Sequence, residues 1–284
     1  MNERKGEILK KIKTVTSVPA SALRAIKLLN DPNVNMGEVV QVIAYDPGLT
    51  SNILKLANSS YFGCARSISS LRDAVVRLGS ANIFKLVTAS IASLVLNKNI
   101  KGYNMTSGEL WEHSIAVAVA AETSSYVLKL QDASKTAFTS GLLHDIGKVI
   151  LGDFFDPQVE QEISVSLSKN KSFYEAEKEA FGINHAELGA RLLNSWSIPD
   201  NLSNAVRWHH APEFCRDSQC STIVHFCDYI CIKNKIGSQT EPLNMRLSEQ
   251  AVAVLKISDK DNDEIIMRTR DSFENIKDIF SKPK

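Results

Sequence analysis

Leu142-Leu143-His144-Asp145-Ile146-Gly147-Lys148 sets an imidazole and a carboxylate side by side at the edge of an apolar helical segment. A neutral ring nitrogen and an anionic oxygen together suit a transition metal that must also hold water or a phosphate oxygen. A lone His-Asp pair proves little. Its weight comes from companions on separate segments: His113, His185, His209 with His210, and Asp228.

The surrounding chain is that of an ordinary globular protein. Its 284 residues are 44% hydrophobic with 13 Gly and 8 Pro, enough for one large domain or two modest ones. A formal net charge of +1 provides no field for capturing nucleic acid or an anionic membrane, so neither is expected as a partner. Arg4, Lys5, Lys10, Lys11 and Lys13 read as a solvated helix face. The N-terminus lacks a secretion signal and no run approaches the ~18 apolar residues of a membrane span, which predicts a cytoplasmic protein. Cys64, Cys215, Cys220, Cys227 and Cys231 are then reduced thiols, and the last four lack the paired C-x2-C knuckle of a strong zinc motif.

Apolar residues recur at helical spacing throughout. Leu23, Ile26 and Leu29 form one such set and Leu49, Ile53 and Leu56 another, punctuated by Asp31-Pro32-Asn33 and Asp46-Pro47-Gly48. Ser70 with Asp73 predicts a capped start for a helix that Gly79 ends. Residues 83–96 are apolar nearly all round, as in a helix inside a core. The polar stretch Asn97 to Met105 marks the weakest internal boundary. Beyond it, Thr106 with Glu109 predicts the start of a helix carrying His113, and a helix over about Ser134 to Leu151 carries His144 and Asp145. Asn184 with Glu187 places His185 at a first helical position, where the helix dipole disfavours imidazolium. A helix from Pro199-Asp200 ends in Trp208-His209-His210-Ala211-Pro212, and Thr222 to Ile232 forms another bearing Asp228. A polar loop around Gly237 to Pro242 leads to two amphipathic helices, the last with the stripe Ile265, Thr269, Phe273, Ile276 and Phe280.

His113, His144, Asp145, His185, His209, His210 and Asp228 exceed what one metal needs. With Asp145 as a bridge, one position would use His113, His144, Asp145 and Asp228, the other Asp145, His185, His209 and His210. Such a pair of divalent ions can orient a water and stabilise charge on a phosphoryl group. Asp145 would then be catalytic, with Lys148 as a point charge for phosphate. Iron, manganese, zinc or nickel would all suit these donors. Singly, each residue has a plain structural role open to it: His210 near a helix C-terminus, His185 at a helix start, Asp228 beside a lysine. His225 has no slot in the scheme and reads as structural.

The order His113-Ser114, His144-Asp145-Ile146-Gly147-Lys148, His185, His209-His210, Asp228 resembles the HD superfamily of metal-dependent phosphohydrolases, most closely the ligand series of the HD-GYP phosphodiesterases. Up to about residue 210, Val18-Pro19, Ile43-Ala44-Tyr45-Asp46-Pro47-Gly48-Leu49, Leu56-Ala57-Asn58-Ser59 and Ala74-Val75-Val76-Arg77-Leu78-Gly79 resemble an HDOD domain, the HD-related output domain of bacterial signalling proteins. The resemblance implies an all-α fold, with an N-terminal helical subdomain (1–100) and an HD-type bundle bearing the metal site (101–236), which the amphipathic helices read from the residue pattern follow (237–284). It also implies a regulatory or interaction module with a signalling protein partner. The alternative is a phosphohydrolase or phosphodiesterase acting on a nucleotide or other phosphate ester. HDOD members commonly lose part of the HD ligand set, yet every aligned position is filled here. Where HD-GYP enzymes carry a glycine-rich segment ending in Gly-Tyr-Pro, this chain has Ala211-Pro212-Glu213-Phe214-Cys215, which argues against cyclic di-GMP as substrate.

Overall fold

Short side-chain acceptors before apolar runs start several of the helices. Asn35, Asp46, Ser70, Asp156 and Asn184 each accept a bond from a backbone N–H two or three residues on, satisfying donors the first turn leaves orphaned. The computed structural model describes residues 2–12, 18–62, 67–130, 133, 136–215, 219–238 and 245–277. Cys64, and likewise Lys13, Ser134, Pro242 and Phe280, lie outside them.

The helices are α1 (Asn2–Lys11), α2 (Ala20–Leu29), α3 (Met36–Ala44), α4 (Pro47–Ala57), α5 (Leu71–Leu96), α6 (Glu109–Val127), α7 (Ala137–Leu143), α8 (Lys148–Leu151), α9 (Pro157–Ser168), α10 (Phe173–Phe181), α11 (His185–Ser195), α12 (Asp200–Arg207), α13 (Gln219–Asn234), α14 (Glu249–Leu255) and α15 (Asp259–Lys277). The fold is all-α. Among the described residues the only extended pairing is an isolated bridge between Ile100 and Met105.

Helices α2, α3 and α4 pack on α5, which also meets α6 and α7. Helix α5 breaks at Gly79, whose φ of 74° suits a residue without Cβ. Beyond the break Ile83, Leu86, Val87, Ile91, Val95 and Leu96 are buried, as the apolar run predicts. By length and composition α5 could cross a membrane, contrary to the sequence expectation; its most apolar 18-residue window has mean hydropathy 1.5 and is 56% buried inside the protein. Protein neighbours thus cover much of the surface that a span would show to lipid.

Helix α6 is the hub, lined by α7, α13 and α15, while α12 packs on α11, α13 and α7. Helix α1 lies against α8, and Arg4 reaches the Ala180 carbonyl at 2.8 Å and Glu162 at 3.2 Å. That arginine is therefore a docking residue and departs from the solvated face expected of the basic cluster.

Several helix limits differ from expectation, among them the helix expected over Thr222 to Ile232, which runs from Gln219 to Asn234. Helix α6 starts at Glu109 behind Gly108; Glu109 does accept the Thr106 N–H, at 2.5 Å, but Thr106 is not its N-cap. The helix expected over about 134–151 is interrupted by a turn at His144–Gly147. Helix α12 stops at Arg207, leaving His209 and His210 in the turn beyond it.

Candidate metal centre

The interruption after α7 serves the site. His144 Nδ1–H donates to the Gly141 carbonyl at 2.7 Å, the acceptor a continuing helix would offer to the Asp145 N–H. His209 does the same after α12, its Nδ1–H on the Val206 carbonyl at 2.6 Å. In the neutral tautomer that this bond selects, both rings present Nε2 as a lone pair. His185, the first residue of α11, donates Nδ1–H to Glu177 at 2.7 Å, and its backbone N–H donates to the same carboxylate at 2.8 Å. Its Nε2 is likewise free to accept.

These atoms converge on Asp145. Its Oδ1 lies 3.2 Å from His185 Nε2 and 3.9 Å from His209 Nε2. Its Oδ2 lies 3.2 Å from His144 Nε2, 3.7 Å from His113 Nε2 and 2.7 Å from Lys148 Nζ. Asp228 Oδ1 is 3.1 Å from His113 Nε2 and 3.8 Å from His144 Nε2. His210 Nε2 sits 2.9 Å from His185 Nε2, a spacing that suits neighbouring ligands of one ion held at ~2.1 Å. All seven side chains singled out from the sequence thus meet in one place. His210 alone of the seven is half-buried; the others are buried.

The centre passes a chemical test for a cation. His113 Nε2, His144 Nε2, His209 Nε2, Asp145 Oδ1 and Asp228 Oδ1 are buried without a hydrogen-bond partner. Each such atom costs about 1–3 kcal/mol unless something satisfies it, and a divalent ion among them would satisfy several at once. Three overlapping sets have ligand atoms mutually within 4.8 Å: Asp145, His185, His209, His210; His113, His144, Asp145; and His144, His209, Asp228. Burial pushes the His209 and His210 rings well below the usual histidine range, reinforced by the neighbouring imidazoles. Burial would raise the two carboxyls, but His144, Lys148 and His185 outweigh it at Asp145. His113 and His144 do so at Asp228, which falls to about 2. Neutral rings and ionised carboxylates are the forms that bind metal.

Lys148, predicted as a phosphate contact, is buried and turned onto Asp145, with the Tyr103 ring 5.6 Å from its Nζ. His225 donates Nδ1–H to the His209 carbonyl at 2.7 Å and accepts the Ser248 N–H at 3.0 Å. Sequence reasoning missed Glu177. This fully buried carboxylate accepts from His185 and, at 2.7 Å, from the Tyr103 hydroxyl. A signal was present: Ala176, Ala180 and Phe181 mark the buried face of α10, and Glu177 lies on it.

Helical bundle and buried histidine–aspartate centre together define an HD-type protein. The family model of the HDOD domain matches residues 15–212, and the chain belongs to that family. An uncharacterized protein of Treponema pallidum (strain Nichols) is 24% identical over 212 residues, covering 73% of this chain but 40% of its own length; the chain spans less than half of that relative. Among solved structures, a candidate phosphohydrolase of Shewanella amazonensis SB2B superposes with a TM-score of 0.69 at 23% identity, over 94% of this chain and 97% of its own. An HDOD domain protein with unknown function from Geobacter sulfurreducens gives a TM-score of 0.67 at 26% identity, over 94% and 89%.

Proposed function

We propose that the protein is an HDOD signalling module whose His/Asp centre holds one or two divalent metal ions and whose output is a contact with another signalling protein. The observation that carries the metal reading is the convergence of five unpartnered, buried nitrogen and oxygen atoms on one space. His113, His144, Asp145 and Asp228 would hold one ion and Asp145, His185, His209 and His210 the other. A bound divalent ion supplies Lewis acidity. The chain's own residues orient the donors: Gly141, Val206 and Glu177 fix three imidazole tautomers, while Lys148 holds Asp145 Oδ2. We place the protein in the cytoplasm, a reading that the free thiols of Cys215, Cys220, Cys227 and Cys231 fit. We divide the chain into an N-terminal helical subdomain (1–100), an HD-like subdomain (101–236) and C-terminal amphipathic helices (237–284).

Metal analysis of protein purified without chelator tests the reading. Stoichiometric iron, manganese, zinc or nickel is expected, with loss in His144→Ala and Asp145→Ala variants that keep their helical circular dichroism. Metal-free wild-type protein would overturn it.

A second reading, hydrolysis of a phosphate ester or nucleotide, is favoured by one observation: His210, alone of the seven residues, lines a solvent-facing cavity. A panel of phosphate esters and cyclic dinucleotides tests this. An activity that Asp145→Ala leaves intact arises elsewhere.

A further inference from the structure

The two halves of the centre differ in access through one ligand, His210, since His185 and His209 are as buried as the inner set at 2% and 0% exposed. His113, His144, Asp145 and Asp228 are each at most 1% exposed, and α6, α7 and α13 pack around them. His210 instead forms part of the wall of a cavity of about 420 Å³, shared with Tyr174, Arg207, Trp208 and Phe214. A water occupies ~30 Å³, so an ion carrying six waters needs roughly 200 Å³ and fits. The wall offers no excess of cations to select an anion: Lys171, Lys178 and Arg207 are matched by Glu175, Glu179 and Glu187. Tyr174 lies across the His210 ring, centroids 5.2 Å apart and planes within 20°.

Building on the metal reading above, we propose that the two positions are inequivalent. His113, His144, Asp145 and Asp228 retain a sealed ion, whereas Asp145, His185, His209 and His210 form an exchangeable divalent-cation port that opens through the Tyr174–His210 stack. The outer position then responds to the free concentration of metal, and the inner one does not. The sealed ion can leave only through local opening of packed helices. The outer ion needs only the half-buried His210 and Tyr174 to give way.

Loading the full chain with Mn²⁺ and mixing it rapidly with excess EDTA separates the two. Free chelated and protein-bound Mn²⁺ are followed by electron paramagnetic resonance. Two equivalents are expected to leave in two phases, one each, with rates differing roughly tenfold or more. His210→Ala should abolish the fast equivalent and keep the slow one. Tyr174→Ala, which removes a partner packed against a ligand ring, should speed the fast phase by roughly tenfold and leave the slow phase unchanged; Tyr174→Phe should behave as wild type. Two equivalents leaving in one phase, a Tyr174→Ala effect equal on both phases, or a total of one equivalent would each sink this inference while leaving the metal centre standing. Protein that takes up no Mn²⁺, and carries no other metal as purified, sinks both.

Discussion

At Gly147 the backbone touches the start of α11: a Cβ there would lie 1.9 Å from the His185 carbonyl oxygen and 2.7 Å from the Gly189 nitrogen. Neither neighbour is a flexible side-chain tip, so both backbones would have to part. Gly147→Ala should therefore cost about 3 kcal/mol, the upper end for overpacking, measured by urea denaturation, and should lower metal content by moving His185 away from Asp145. Glu177 acts on the same histidine from the other side. In Glu177→Gln an amide replaces the anionic acceptor of the His185 Nδ1–H, and metal affinity should fall roughly 10–100-fold in competition with a fluorescent chelator; unchanged affinity would remove Glu177 from the site. The primary donors were legible in the sequence because imidazole and carboxylate stand out on apolar helical segments. Glu177 was harder to read, since glutamate is common and its importance appears only when α10 delivers it to a ring eight residues on.

Helix ends carry as much of the site as helix faces do. His144 and His209 each take the carbonyl three residues back, competing with the next helical N–H for the same acceptor. One contact thus ends the helix and fixes the tautomer. Periodicity reports faces and cannot see this competition, which is why segments expected to run on through His144 and His210 stop short of them. A capping side chain is easier to read, and Asp46 illustrates its energetics. It accepts the Leu49 N–H at 2.9 Å and the Ser21 hydroxyl at 2.7 Å, contacts that hold its carboxyl below the usual range. Because the folded value is depressed, the contribution is fully present above the unfolded value of ~3.9 and is lost as pH falls through the folded one. Asp46→Ala should cost about 1 kcal/mol at pH 7. The gap between variant and wild-type melting temperatures should close as pH is lowered below ~3.9; a gap independent of pH would assign the cap to geometry without charge.

On the scale of the whole molecule, the C-terminal helices lie beyond residues 15–212 covered by the HDOD family model, yet they are built into the core. Helix α15 packs along α6, the helix that carries His113, and buries Ile265, Thr269, Phe273 and Ile276. Arg270 donates to the Asn234 carbonyl at 2.9 Å, and Ser248, the N-cap of α14, is tied through His225 to the backbone of His209. The amphipathic stripe made this helix legible, but its partner could not be read from the pattern: α6 is apolar on several faces and shares them among α7, α13 and α15. If α15 is an integral wall of that hub, truncating Phe273 must be felt throughout the bundle. Phe273→Ala should cost about 3 kcal/mol, the lower end for emptying a buried aromatic site, and lower the melting temperature on the order of 10 °C. The transition should remain single, because α6 joins the C-terminal helices to the centre. Circular dichroism and tryptophan fluorescence, the latter including Trp111 of α6, should report the same midpoint. Two separated transitions, with tryptophan fluorescence unchanged through the first, would show that α14 and α15 melt as a unit of their own and that the metal centre does not depend on them.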